Sequence, residues 1–189
     1  MKVRDSGMPD EEYWESLFNI SAILDAFRIT HSLNNVAEMG CGFGTFTIPV
    51  AQRISETLFA FDIDPAMIAR TSERVEAASL SNVVLQQRDV MEHGFNLPPS
   101  SVDAVLLFNI LHCECPEKLL NDAADLVCEG GSVLVIHWRH DSRTPRGPDL
   151  SIRPRPEQIV AWSRSGGQLR ADELPIDLPP WHYGVKLMK

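Results

Sequence analysis

The sequence predicts an α/β fold on a mostly parallel sheet, and three observations carry that expectation. From residue 35 onward, short apolar runs alternate with segments of helical periodicity, the pattern of repeated β-α units. The first run passes straight into a glycine-rich turn that opens a helix. The next two runs lead into aspartates, Asp62 and Asp89, so that acidic groups stand at successive strand ends.

In chain order, Pro9 and Asp10 precede Trp14, Leu17, Leu24 and Phe27 at helical spacing, which reads as one or two amphipathic helices placed to cover a site. Strands follow at Asn35 to Met39, Thr57 to Asp62, Val83 to Gln87, Val102 to Phe108 and Ser132 to Trp138. Helices fall between them, near Thr45 to Ile54, Pro65 to Ala78 and Pro116 to Cys128. Asp64 is placed to cap the second of these with Pro65 at its first position, Pro49 sits early enough to be tolerated, and Gly130 and Gly131 are read as the stop before the fifth strand. A Pro- and Arg-rich loop comes next, then a short helix near Pro156 to Ser165 ending at Gly166 and Gly167. The alternation in Leu169 to Leu178 and Tyr183 to Met188 suggests a closing β-hairpin.

Composition narrows the function. At 189 residues, with 44% hydrophobic and 23% charged residues, the chain fits one ordinary globular domain, read as 1–189. The formal net charge of -9 disfavours a polyphosphate partner, so nucleic acid is not expected. Met1 to Asp10 holds no apolar core of a secretory signal and no long apolar run occurs, so a cytoplasmic location with no membrane association is expected. Cys41, Cys113, Cys115 and Cys128 form no disulfide framework. His112-Cys113-Glu114-Cys115 contains metal-ligand types, but its spacing departs from paired Cys-x-x-Cys sites, and no metal is read from it.

The turn itself is Val36-Ala37-Glu38-Met39-Gly40-Cys41-Gly42-Phe43-Gly44. Glycines let the backbone turn sharply and let a ligand lie against bare main chain. Asp62 at the next strand end can accept both hydroxyls of a ribose, and Asp89 stands where an adenine amino group could donate to it. A dinucleotide fingerprint would place another glycine at position 45, and Thr45 stands there instead, so a nicotinamide cofactor is the weaker choice.

The order Glu38-x-Gly40-x-Gly42-x-Gly44, then Asp62, then Asp89, resembles the signature of class I S-adenosylmethionine-dependent methyltransferases, with motifs over about residues 35 to 137. The resemblance implies a Rossmann-like three-layer sandwich whose seven-stranded, mostly parallel sheet has an antiparallel last strand. It implies S-adenosylmethionine as cofactor and S-adenosylhomocysteine as product. By the same resemblance Gly40 and Gly42, with Cys41 between them, approach the methionine part, Glu38 supports the turn, and Asp62 binds the ribose. Asp89 and Val90 frame the adenine, Ile63 packs on its face, and Asn109 offers a backbone carbonyl to the cofactor's amino group.

For the acceptor, His112 and His137 near the ends of the fourth and fifth strands are the candidate bases; the alternative for each is a local hydrogen bond at a strand end. Trp138 is the aromatic best placed to wall the pocket. Residues 1–30 read as a helical cap and 139–155 as a lid loop, with Arg139, Arg143 and Arg146 expected to meet an acceptor bearing a negative group; a solvated loop pairing with an acidic surface is the alternative. The fourth strand runs into Phe108-Asn109-Ile110-Leu111, not the Asn- or Asp-Pro-Pro-aromatic motif of DNA amino-methyltransferases, which with the acidic charge leaves a small molecule as the expected acceptor and a protein side chain as the alternative. Two other functions stay open, a noncatalytic methyltransferase-like binding subunit and an NAD-binding Rossmann enzyme. The oligomeric state is not legible.

Overall fold

A computed structural model describes residues 9–172 and 174–189. Eight of the residues assigned to the cap, 1–8, therefore lie outside the described residues. Two short helices, α1 (Glu11–Ser16) and α2 (Ile20–Ala26), lead into β1 (Val36–Met39), α3 (Thr47–Ala51), β2 (Leu58–Asp62), α4 (Pro65–Ala77), β3 (Val83–Gln87), α5 (Val90–His93) and β4 (Val102–Phe108). The chain continues through α6 (Pro116–Leu126), β5 (Val127–Trp138), a 3-10 turn at Leu150–Ile152, α7 (Pro156–Ser163), β6 (Arg170–Ala171), β7 (Ile176–Leu178) and β8 (His182–Met188).

The sheet order is β3-β2-β1-β4-β5-β8-β6, with β7 also paired to β8. The pairs from β3 through β5 are parallel, and β8 runs antiparallel to β5, β6 and β7. The antiparallel closing strand is thus in place. Its outer lane is broken into β6 and β7 around Pro175, which lacks the N–H a ladder needs.

Strand alternation produces the three layers. Val105, Leu107, Val133 and Val135 face one side and pack with Leu119, Leu120 and Ala123 of α6 and Ile159 of α7. Ala104, Leu106, Leu134 and Ile136 face the other and pack with Val50 of α3 and with Ile23, Leu24 and Phe27 around α2. The central strands are therefore apolar on both faces, as a parallel sheet covered by helices requires.

Three local readings change. The regular helix α3 spans only Thr47–Ala51, because Pro49 has no N–H to donate back to Thr45. α6 ends at Leu126 and β5 begins at once, five residues before the expected Ser132; Gly130 and Gly131 lie inside the strand segment and do not stop a helix. The β4–β5 register shifts between Val102 and Ala104, Gly130 takes φ +79°, and a Cβ at Gly131 would come 2.6 Å from the Asp103 carbonyl oxygen. Those glycines serve the bulge and the close backbone approach. The short α5 was not expected; Asp89 starts it by accepting from the Glu92 N–H at 3.1 Å.

The chain leaves β1 toward β2 and β3 and later returns to place β4 on the other flank of β1. That reversal opens a crevice at the carboxyl ends of β1 and β4, the place where open α/β sheets bind ligands.

Candidate functional site

A cavity of about 680 Å³ occupies that crevice. One half is walled by strand ends and the turns after them: Glu38, Gly40, Cys41 and Gly42 after β1, Asp62 to Pro65 after β2, and Arg88 to Met91 after β3. The other half is walled by Thr45 and Phe46 ahead of α3, Phe108 to Ile110, His112 and Cys113 beyond β4, Trp138 at the end of β5, Pro148, and Trp14 of α1.

The glycine turn is strapped to the neighbouring strand. The N–H groups of Gly40 and Cys41 both donate to the Phe61 carbonyl, at 2.7 and 3.0 Å. Gly40, Gly42 and Gly44 take φ values of 78°, 54° and 80°, a left-handed conformation that side chains with a Cβ seldom adopt. From α4, Thr71 donates its hydroxyl to the Gly42 carbonyl at 2.7 Å and Arg74 donates to the Phe43 carbonyl at 3.0 Å. Asp62 accepts from the Gly42 N–H and from the Asp64 N–H, each at 2.9 Å, so one carboxylate braces the turn and faces the cavity together.

Burial sets the electrostatics. Glu38 is 3% exposed, and desolvation pushes its carboxyl up to about 8; it accepts from the Thr47 hydroxyl at 2.6 Å. Burial likewise raises Asp62 above the usual carboxylate range and raises the Cys41 thiol. Arg88 is the only lysine or arginine on the cavity wall among the described residues, and its guanidinium is committed to the Gly94 and His93 carbonyls at 2.5 and 2.6 Å. Burial holds Glu38 neutral, and the other carboxyl groups on the wall, Asp62, Asp64 and Asp89, give the strand-end half an acidic character.

Of the residues singled out from the sequence, Glu38, Gly40, Cys41, Gly42, Asp62, Ile63, Asp89, Val90, Asn109, His112 and Trp138 all line this one cavity. Ile63 is 41% exposed, an apolar side chain open to the space beside Asp62. Asn109 sits at φ +57°, where asparagine is among the few tolerated side chains, and its buried Oδ1 has no protein partner.

The remaining candidates lie elsewhere. His137 is fully buried behind the wall, with its ring 5.5 Å from that of His112 and Nδ1 3.4 Å from the Trp138 carbonyl. Arg139 pairs with Asp177, Arg143 is exposed, and neither they nor Arg146 lines the cavity. What holds the 139–155 loop is Arg153, 9% exposed, which donates to the carbonyls of Pro148 and Arg139 at 2.8 Å and of Arg146 at 3.3 Å. Tyr183 adds a bond to the Pro154 carbonyl at 2.5 Å. Gly147 (φ +109°) lies flat on Trp138, where a Cβ would come 2.8 Å from the ring. Bonded in this way, the loop contributes Pro148 to the cavity.

The sequence reading missed Thr45, whose hydroxyl is buried in the wall without a protein partner, and the aromatic pair Phe46 and Phe108, whose rings meet edge to face at 4.9 Å. It also left α1 without a specific contact. Arg70 and Arg74 of α4 bind Glu11 at 2.7 and 3.1 Å and Glu15 at 2.5 Å, which sets Trp14 over the cavity, 6.2 Å from Trp138. No group of histidine, cysteine, aspartate and glutamate among the described residues is arranged to hold a metal ion, and no described helix is long and apolar enough to cross a membrane.

Comparison with known proteins agrees with this geometry. A family model described as a methyltransferase domain matches residues 36–131. A 23S rRNA (uracil(1939)-C(5))-methyltransferase RlmD of Stenotrophomonas maltophilia is 28% identical over 146 residues, 61% of this chain and 33% of the relative. The chain therefore spans about a third of the length of the curated relatives it matches. A SAM-dependent methyltransferase from Aquifex aeolicus superposes with a TM-score of 0.81 at 19% identity, covering 94% of this chain and 93% of that one. The N-methyltransferase NodS of Bradyrhizobium japonicum, in complex with S-adenosyl-l-homocysteine, superposes with a TM-score of 0.70 at 14% identity, covering 95% and 92%. At such identities the likeness is one of fold, whereas the family model covers half of the chain and spans both the glycine turn and the two aspartates. On that match, this chain belongs to the methyltransferase-domain family, the class I S-adenosylmethionine-dependent methyltransferases.

Proposed function

We propose that this chain transfers the methyl group of S-adenosylmethionine to a small molecule held in the uncharged half of the cavity. The observation that carries the reading is the division of one cavity into an acidic half at the strand ends and a half at Trp14 and Trp138 that holds no charged side chain among the described residues. In the first half, the Asp62 carboxylate takes the ribose hydroxyls, and Ile63 and Val90 pack against the adenine with Asp89 at its edge. Gly40, Cys41 and Gly42 present main chain to the methionine part. The carboxyl field suits a sulfonium, which carries the positive charge that transfer then cancels. Asn109 presents its backbone carbonyl to the cofactor's amino group.

The chemistry asks little more of the protein than placement. An acceptor atom held in line with the sulfur–methyl bond, in a pocket closed to water, reacts at a high effective concentration. Glu38 steadies the turn from beneath as a neutral carboxyl bonded to Thr47, and so adds no repulsion to the donor's carboxylate.

An RNA acceptor is the second reading, favoured by the RlmD relatives. It meets a chain of net charge -9 and a wall on which Arg88, its one arginine among the described residues, is already committed to carbonyls. Incubating the purified chain with S-adenosylmethionine labelled in its methyl group, against total RNA and against the low-mass fraction of a cell extract, separates the two. Label is expected in the low-mass fraction and absent from RNA; label in RNA alone would contradict the proposal.

A further inference from the structure

Resting on that reading of the cavity, we infer that Arg74 is a positioning residue that joins its two halves: it ties the glycine turn of the donor half to α1, so that filling the donor half fixes Trp14 over the acceptor half.

α1 cannot hold this place alone. None of its six residues is buried, and isolated helices below about 12 residues are marginal in water. Its C-terminal end is anchored, because the next two residues, Leu17 and Phe18, are buried in the core with Phe46 and Val50. Its other end is held by charge. Glu11 and Glu15 lie one turn apart and so share a face, which meets Arg70 and Arg74, one turn apart on α4. Arg70 grips both oxygens of Glu11 through Nε and Nη2, at 2.7 and 3.2 Å, while Arg74 donates to Glu11 at 3.1 Å and to Glu15 at 2.5 Å. Trp14, in the same turn of α1 as Glu15, lines the cavity.

The second tie runs to the donor half. The Nη1 of Arg74 that meets Glu11 and Glu15 also donates to the Phe43 carbonyl at 3.0 Å, inside the glycine turn. One turn earlier on α4, Thr71 donates to the Gly42 carbonyl at 2.7 Å, and its methyl lies 3.0 Å from where a Cβ on Gly44 would stand, so α4 and the turn are in direct contact. One guanidinium nitrogen is thus bonded to the donor's turn and to both carboxylates of α1. A methionine part resting on Gly40 to Gly42 restrains the turn, and the restrained turn fixes the guanidinium. A guanidinium already fixed gives up less freedom when it pairs with Glu11 and Glu15, so α1 is held more firmly once the donor is in place. The consequence is an order of binding, in which the acceptor meets a complete wall only after the donor has bound.

The test begins with calorimetric titration of S-adenosylhomocysteine, because no binding would remove the cofactor reading and this inference together. Amide exchange across residues 11–18 is then followed by mass spectrometry in the free and the loaded chain. S-adenosylhomocysteine should slow exchange there by about fivefold or more. Arg74→Gln and the double variant Glu11→Gln/Glu15→Gln should each lose that slowing, with exchange in β4 and β5 as in the parent chain. Coupling is reciprocal, so the double variant, neither of whose positions lines the cavity, should also bind S-adenosylhomocysteine more weakly by a similar factor. An ion pair that merely secured α1 would protect it equally with and without the donor and would leave that affinity unchanged. Binding that does not slow exchange at 11–18, slowing that persists in either variant, or an unchanged affinity in the double variant overturns the inference and leaves the cofactor reading intact.

Discussion

Asp62→Ala should weaken S-adenosylhomocysteine binding by about 100-fold or more, roughly 3 kcal/mol, as measured by calorimetric titration. Two losses combine. The two ribose hydroxyls lose their acceptor, and the Gly42 and Asp64 N–H groups, each 2.9 Å from that carboxylate, lose the brace that holds the turn open. The free variant should melt only a few degrees lower, since a deficit of about 1–2 kcal/mol in two partly buried N–H groups shifts the midpoint of a chain this size by roughly 2–4 °C per kcal/mol. Asp62→Asn separates the losses. Its amide oxygen can still accept from Gly42, so the melting temperature should return toward the parent value while binding stays weakened at least about tenfold. Affinity within about threefold of the parent in Asp62→Ala would remove the carboxylate from the proposed cofactor contacts.

Stability should peak near pH 6.5 and fall on both sides. His137 and His182 are fully buried, and desolvation lowers both from 6.5 to about 3. The unfolded chain therefore binds two protons that the fold refuses, so their contribution is complete above pH 6.5 and is lost as the pH falls toward 3. Glu38 has the opposite sign. Its carboxyl is raised from 4.5 to about 8, so the fold keeps a proton that the unfolded chain releases; that contribution is complete below pH 4.5 and is lost as the pH rises through 8. Between 4.5 and 6.5 the buried histidines, His112 among them, outweigh Glu38 and stability rises with pH; between 6.5 and 8 Glu38 decides the sign and stability falls. Unfolding in denaturant at pH 5, 6.5 and 8 reads both limbs. His182→Phe, which keeps a ring between Phe18 and Trp138, should flatten the acid limb and leave the alkaline limb unchanged. A stability that climbs steadily from pH 6.5 to 5 would contradict this account of the buried histidines.

The sheet was legible because its causes are local. Val102 to Phe108 is apolar on both faces, and only a covered central strand needs that, so its limits could be read to the residue. Asp64 and Pro65 mark a helix start by their own chemistry. The start of β5 was not legible, since Gly130-Gly131 has the same spelling as a helix stop, and only the approach of the Asp103 carbonyl shows what those glycines accommodate. A similar division runs through the site. The cofactor half follows directly from residues at successive strand ends, where spacing along the chain translates into position along one edge. The acceptor half gathers Trp14, Thr45, Cys113 and Pro148 from segments far apart in sequence, and no spacing announces that meeting. The arginine loop was read from composition, which cannot show that Arg153 is bonded to three loop carbonyls or that Arg139 turns to Asp177.

The most direct measurement is a crystal structure of the chain with S-adenosylhomocysteine. The expected result is a cofactor lying along the cavity, its ribose hydroxyls on the Asp62 carboxylate and its adenine between Ile63 and Val90. The methionine part should rest on Gly40 to Gly42, with the sulfur directed toward the space bounded by His112 and Trp138. A nucleoside seated outside this crevice, or one whose ribose leaves Asp62 bonded only to Gly42 and Asp64, would contradict the account.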